Sequence, residues 1–250
     1  MMLSINHNIK DVIKKLANVH DKQLPFATSL AINNTAKKVK AAEEKEIRDV
    51  FDRPTLFTQN SLFIKPSNKT NLTASVKLKD EASKGVPAAK YLQAEIKGGE
   101  RRLKRYEVAL RAAGVLPEGY FTVPGEAAKI DAFGNMSRGQ INQILSYFRA
   151  NRDATQASTD RTRAKLAKGT KKQYGISYFA GRPGNGKLPF GIWMKVLSNF
   201  GTAVRPVLIF VQSARYDAIY DFKYVADITI QKHFNNEFIE AWKFAQRTAK

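Results

Sequence analysis

Cysteine is missing from this 250-residue chain, so no disulfide, thiolate nucleophile, iron–sulfur cluster or cysteine-based zinc site is expected. Acids are scarce: 22 Asp and Glu stand against 42 Lys and Arg, a formal net charge of +20. Charged residues make up 26% of the chain, near the usual ~25%, so the imbalance is a shortage of acids. Histidine is sparse as well. His7, His20 and His233 stand alone, without the spacing that metal ligation needs, and read as surface or boundary residues. Long apolar runs are lacking too: the longest aliphatic stretches, such as Val207 to Val211, fall far short of the ~20 residues that cross a membrane. The opening MMLSINHNIKDVIKKL mixes polar and apolar residues, so no secretory signal is expected.

What is present suffices for a folded core. A hydrophobic content of 43%, with 15 Phe and 9 Tyr, excludes a wholly disordered basic tail. Ile9, Val12, Ile13 and Leu16 predict a short amphipathic helix over 8–19, and Leu24-Pro25 opens a longer one running to about Phe51, with Pro25 in the first turn where its missing N–H is harmless. Leu62 and Ile64, then Leu72, Ala74, Val76 and Leu78, alternate as strands of a hairpin. Three helical segments follow, ending at Gly98-Gly99, closing at Gly114 and starting after Asn135. The stretch between the last two, rich in Pro, Gly and aromatics, reads as an ordered irregular loop.

Residues 151–173 contain RTRAKLAKGTKK, with few large apolar side chains, and read as a basic linker or an arm that orders on a partner. Ile176 to Phe179, Phe190 to Leu197 and Val204 to Val211 predict three strands, and a helix runs from about Val225 to near the end. The order of elements predicts an α+β fold: long N-terminal and C-terminal helices packed on an antiparallel sheet. Residues 1–85 and 174–250 are expected to form one domain, interrupted by a helical insertion over 86–150 and the linker over 151–173.

The sharpest enzymatic motif is Gly181 to Lys187, GRPGNGK, which has the spacing of a phosphate-binding loop. Such a loop needs Ser or Thr next and a helix behind it. Leu188, Pro189 and a strand-like run follow instead, so a hairpin turn is expected. No nucleophile elbow or catalytic carboxylate pair is evident, and neither an enzymatic role nor a cofactor or metal is expected. The remaining candidates are basic clusters: Arg101, Arg102, Lys104 and Arg105 beside Tyr106, and Arg161, Arg163, Lys165, Lys168, Lys171 and Lys172 ending near Tyr174. These can neutralise phosphates in a sequence-tolerant, salt-dependent way or dock on acidic proteins.

Three stretches carry a resemblance. INHNIKDVIKKLANV followed by LPFATSLAINNTAKKVKAAEEKEIRDVF resembles the N-terminus of tailed-phage minor tail protein Z and the related head–tail connector and tail-completion proteins, and VADITIQKHFNNEFIEAWKFAQRTAK resembles their closing helix. The segment from Lys90 to Ala150 resembles uncharacterised phage and prophage virion proteins. The resemblance implies a virion structural protein, assembled in the host cytoplasm as a homo-oligomeric ring, of six or twelve copies, at the neck or top of the tail. Its implied partners are connector or portal-side and tail-tube proteins; whether the basic clusters also touch DNA stays open, and no membrane partner is expected. The family brings no catalytic residues to transfer. A sequence-nonspecific nucleic-acid-binding protein is the alternative reading.

Overall fold

Apolar side chains recurring every three or four positions from Leu24 carry the chain into a 27-residue helix, with Pro25 in its first turn. The computed structural model describes residues 22–83, 85–170, 173–198 and 201–248; the helix expected over 8–19 lies outside them. In chain order the elements are α1 (Leu24–Val50), α2 (Leu56–Gln59), β1 (Leu62–Lys65), β2 (Ser75–Leu78), α3 (Ala88–Tyr91), α4 (Gln93–Lys97), β3 (Gly99–Glu100), α5 (Arg105–Ala112), β4 (Phe121–Pro124), α6 (Arg138–Tyr147), α7 (Asp160–Lys168), β5 (Gly175–Gly181), β6 (Gly191–Ser198), β7 (Gly201–Val211), β8 (Arg215–Tyr216) and α8 (Phe222–Thr248). The fold is α+β, with long helices near both ends and antiparallel sheets.

The chain divides into two units. Unit one comprises 1–97 with 218–250, and unit two comprises 98–217. This differs from the expected division, in which the strands of 174–211 completed the N-terminal domain. β7 pairs with β4 on one side and β6 on the other, so these strands belong with the helices of 98–150, and the insertion is an α+β unit rather than a helical block. The pairing partner β4 lay in the stretch expected to be irregular. Four residues with Pro at the end leave too short an alternation to mark a strand locally, and only the ladder to β7 defines it.

In unit one, α1 and α8 pack together through small residues: Ala27 and Ala31 are buried with Ala241 and Ala245. Alanine lets the two backbones approach closely, and Lys38 Nζ meets a Glu237 carboxylate oxygen at 2.7 Å alongside. The polar residues of LPFATSLAINNTA have a structural use. Asn33 accepts from the Ser67 backbone N–H at 2.8 Å and donates to the Ser67 carbonyl at 3.1 Å, so its carboxamide acts as a strand edge that fixes the loop between β1 and β2. The β1–β2 hairpin is antiparallel, with Leu62 opposite Leu78.

Next to that hairpin, Ile47, Leu62 and Tyr220 are buried together. Glu43 sits one turn from Ile47, fully buried. Its Oε2 accepts from the Tyr220 hydroxyl at 2.7 Å, while its Oε1 has no hydrogen-bond partner. Burial pushes the Glu43 carboxyl up to about 7, with Glu46 and Asp221 adding to the rise against the Tyr220 hydrogen bond.

A raised carboxyl means that the folded state holds the proton more tightly than the unfolded one. The contribution is favourable at low pH and is lost as pH rises from about 4.5 towards about 7. Glu43→Gln should therefore leave thermal stability nearly unchanged at pH 5. At pH 8 it should raise the melting temperature, by about 2–4 °C for each kcal/mol relieved. Differential scanning calorimetry at both pH values checks this, and a Glu43→Gln variant less stable than the parent at pH 8 contradicts it.

Candidate functional site

Unit two begins at Gly98-Gly99, both with positive φ, which turns the chain into the short β3–β8 pair. Gly99 lies opposite Tyr216, and the Arg101 N–H donates to the Ala214 carbonyl. From there the Arg101 side chain turns inward. It meets the Glu107 carboxylate with two parallel bonds of 2.7 and 2.6 Å and donates a third to the Thr122 carbonyl at 3.0 Å. Glu107 also accepts from the backbone N–H groups of Lys104 and Thr122 and from the Thr122 hydroxyl. Because that hydroxyl donates to Glu107, the Tyr106 phenol must donate to it, across 2.8 Å.

The Glu107 side chain is fully buried and that of Arg101 is 10% exposed. Burial by itself would raise the Glu107 carboxyl; the Arg101 guanidinium, the two N–H groups and the Thr122 hydroxyl outweigh it and hold the carboxyl below its ordinary range. Arg101 was expected to serve a surface cluster. The structure places it in an internal ion pair that ties β3, α5 and β4 together, and its guanidinium also lies over the Phe121 ring at 5.2 Å. Arg102, Lys104 and Arg105 stay exposed, although desolvation and then the Arg101 charge hold the Lys104 ammonium below the usual lysine range.

The second basic cluster was expected on a linker. Most of it lies on α7, which is capped by the Thr159 hydroxyl accepting from Thr162 N–H at 3.1 Å. The helix escaped the sequence pattern because it buries so little: none of its residues is fully buried. Its end is nevertheless fixed to the sheet. A side chain at Gly175 would strike the Ala167 carbonyl, and one at Gly169, which has φ +69°, would strike the backbone of residues 173–175. Arg163 pairs with Asp160 at 2.7 Å and lies over the Tyr147 ring, so it also serves the fold. Arg161, Lys165 and Lys168 are exposed, with no carboxylate partner among the described residues. Lys171 and Lys172 lie outside the described residues.

Beside α7 lies a cleft of about 630 Å³, lined among others by Lys129, Gln143, Lys165, Leu166, Tyr174 and Val196. Two of its parts were invisible to the sequence. Lys129 is brought in by buried Gln140, which accepts from the Lys129 N–H at 2.6 Å and donates to the Ala127 carbonyl at 2.9 Å. Gln143 is oriented by Tyr178, whose hydroxyl donates to its Oε1 at 3.1 Å.

The GRPGNGK segment is the connection between antiparallel β5 and β6, where Gly181 lies opposite Gly191. Gly184, Asn185 and Gly186 all have positive φ, which is hairpin chemistry, and a strand follows in place of the helix that phosphate binding requires. Among the described residues no group of three metal-ligating side chains occurs, and no helix is long and apolar enough to cross a membrane.

In unit one the unusual surface is on α8. Tyr224, Ile228, Gln231, Asn235, Ile239, Trp242 and Gln246 follow at intervals of four, three, four, four, three and four residues, so they run along one side of a helix with ~3.6 residues per turn. Tyr224 is 62%, Ile228 44% and Ile239 50% exposed. The sequence showed that α8 was apolar but not that α1 covers only part of the apolar surface.

No family model, curated protein or solved structure matches this chain.

Arg101→Ala should cost about 3–5 kcal/mol, because it leaves Glu107 buried without its counter-charge. Arg161→Ala, which removes an exposed cation, should change stability by less than about 0.5 kcal/mol. Urea unfolding of the two variants distinguishes them; equal effects would contradict the internal role of Arg101.

Proposed function

We propose that the chain is a non-enzymatic structural subunit of a tailed-phage virion, assembling as a ring at the neck or the top of the tail. The virion setting rests on the resemblance of the two terminal stretches and of the segment 90–150. The assembly role is carried by one observation, the uncharged stripe on α8. It supplies apolar contact where two copies can meet with little repulsion. α8 contains Lys223, Lys232, Lys243 and Arg247 against Asp227, Glu237 and Glu240, a net charge of +1 in a chain of +20. The borders of the stripe are of mixed sign, with Lys232, Asn236, Glu240 and Lys243 along one edge and Asp227 on the other.

The occupant of the stripe is therefore another copy of this chain. Charged partners of one sign gain nothing there, whereas apolar burial at ~25 cal/mol per Å² favours an apolar face of the neighbouring copy, met head to tail as a ring requires. The remaining positive charge of the chain suits acidic neighbouring proteins.

Sedimentation velocity tests this. The parent chain should associate as its concentration rises, and Ile228→Asp with Ile239→Asp should reduce it to monomer while leaving its circular dichroism unchanged. A parent that stays monomeric at high micromolar concentration, or a double variant that assembles as before, overturns the reading.

A further inference from the structure

The cleft beside α7 has three kinds of wall. Leu166, Ile176 and Val196 give it an apolar floor, Lys129 and Lys165 give it cations, and Tyr174, 58% exposed, offers an aromatic face. Among the described residues no carboxylate lines it. Its volume of about 630 Å³ falls in the ~300–1,000 Å³ range of sites that take small organic groups. The Tyr178 hydroxyl donates to the Gln143 oxygen, so the oxygen of this lining residue is already engaged. The last carbonyls of α7 are covered by the Gly169 N–H, which donates to Lys165 and Leu166, so the helix end opposes an anion less than a bare terminus would.

An apolar and aromatic lining suits a planar heterocycle, and the two lysines in that lining suit phosphates. We propose that this cleft binds single-stranded nucleic acid, one unpaired base lying against Tyr174 and over the apolar floor, with flanking phosphates held by Lys129 and Lys165. A strand fits better than a free nucleotide because exposed cations continue beyond the cleft along α7, at Arg161 and Lys168. A duplex fits less well because its bases are stacked and cannot enter a recess. The charge of the surrounding unit agrees: residues 98–217 contain 20 Lys and Arg against 8 Asp and Glu, a net +12. This inference stands apart from the virion reading and from self-assembly through α8.

The experiment is fluorescence anisotropy of the full chain with labelled oligothymidylate, titrated over a range of salt concentrations. Binding should weaken with salt, and Lys129→Gln with Lys165→Gln should lower the log–log slope by about 1 to 1.5, given ~0.7 per phosphate on single strands. Tyr174→Ala should weaken binding by about five- to a hundredfold at an unchanged slope, and Tyr174→Phe should restore it, since stacking needs only the ring. Lys77→Gln with Lys90→Gln, two exposed cations of unit one, serves as the control for charge alone.

Four results would each overturn the proposal. These are a duplex of equal length binding as tightly as the single strand, Tyr174→Ala binding like the parent, the control pair lowering the slope as much as the cleft pair, and thymidine monophosphate competing as well as the strand at equal nucleotide concentration.

Discussion

Copies of a chain with a net charge of +20 repel one another except where the charge nearly cancels, and this constraint orders the whole molecule. The α1–α8 pair is the near-neutral part: α8 carries four cations against three acids, and α1 five against four. Unit two carries +12. Charge is thus distributed unevenly between the α1–α8 pair and unit two. The sequence order hides this division, because unit one is made of both ends of the chain and unit two interrupts it.

Buried polar groups keep the division in place. The carbonyl of Glu95 accepts from the N–H groups of both Ile219 and Tyr220, which closes unit one where the chain leaves and returns. In unit two, Gly99 and Tyr216 pair at the corresponding point, and Arg101 then reaches Glu107 and Thr122. An ion pair this deeply buried gives little net stability over an apolar substitute. It is strongly directional, however, and each of its bonds fixes one segment relative to another. Glu43 is the opposite case, a buried carboxyl with one oxygen unpartnered, which makes unit one sensitive to pH near neutrality.

The sequence reveals the parts of this structure that are determined locally. The apolar period of α1 and α8, the alternation of β1, β2, β5, β6 and β7, and the glycines that end α4 and α5 can all be read without a partner in view. What it conceals depends on residues distant along the chain. β4 exists because β7 pairs with it, and the extent of unit two follows from that pairing. Arg101 looked like one of four surface cations because its partner carbonyl, that of Thr122, is 21 residues away. α7 looked like a linker because a helix held by glycine contacts needs few apolar side chains. Lys129 and Gln143 entered no motif, since only buried Gln140 and Tyr178 bring them to the cleft. The exposed stripe on α8 was in plain sight as apolar residues, but its exposure depends on how much of the helix α1 can cover.

α8 is proposed to join copies of this chain into a virion ring. The most direct test is imaging of purified phage particles from a host expressing the protein, at a resolution that traces helices. Density for several symmetric copies is expected at the neck or tail top, with Ile228 and Ile239 covered by a neighbouring copy. Particles that lack the protein, or copies whose α8 stripe faces solvent in the assembled ring, would contradict it.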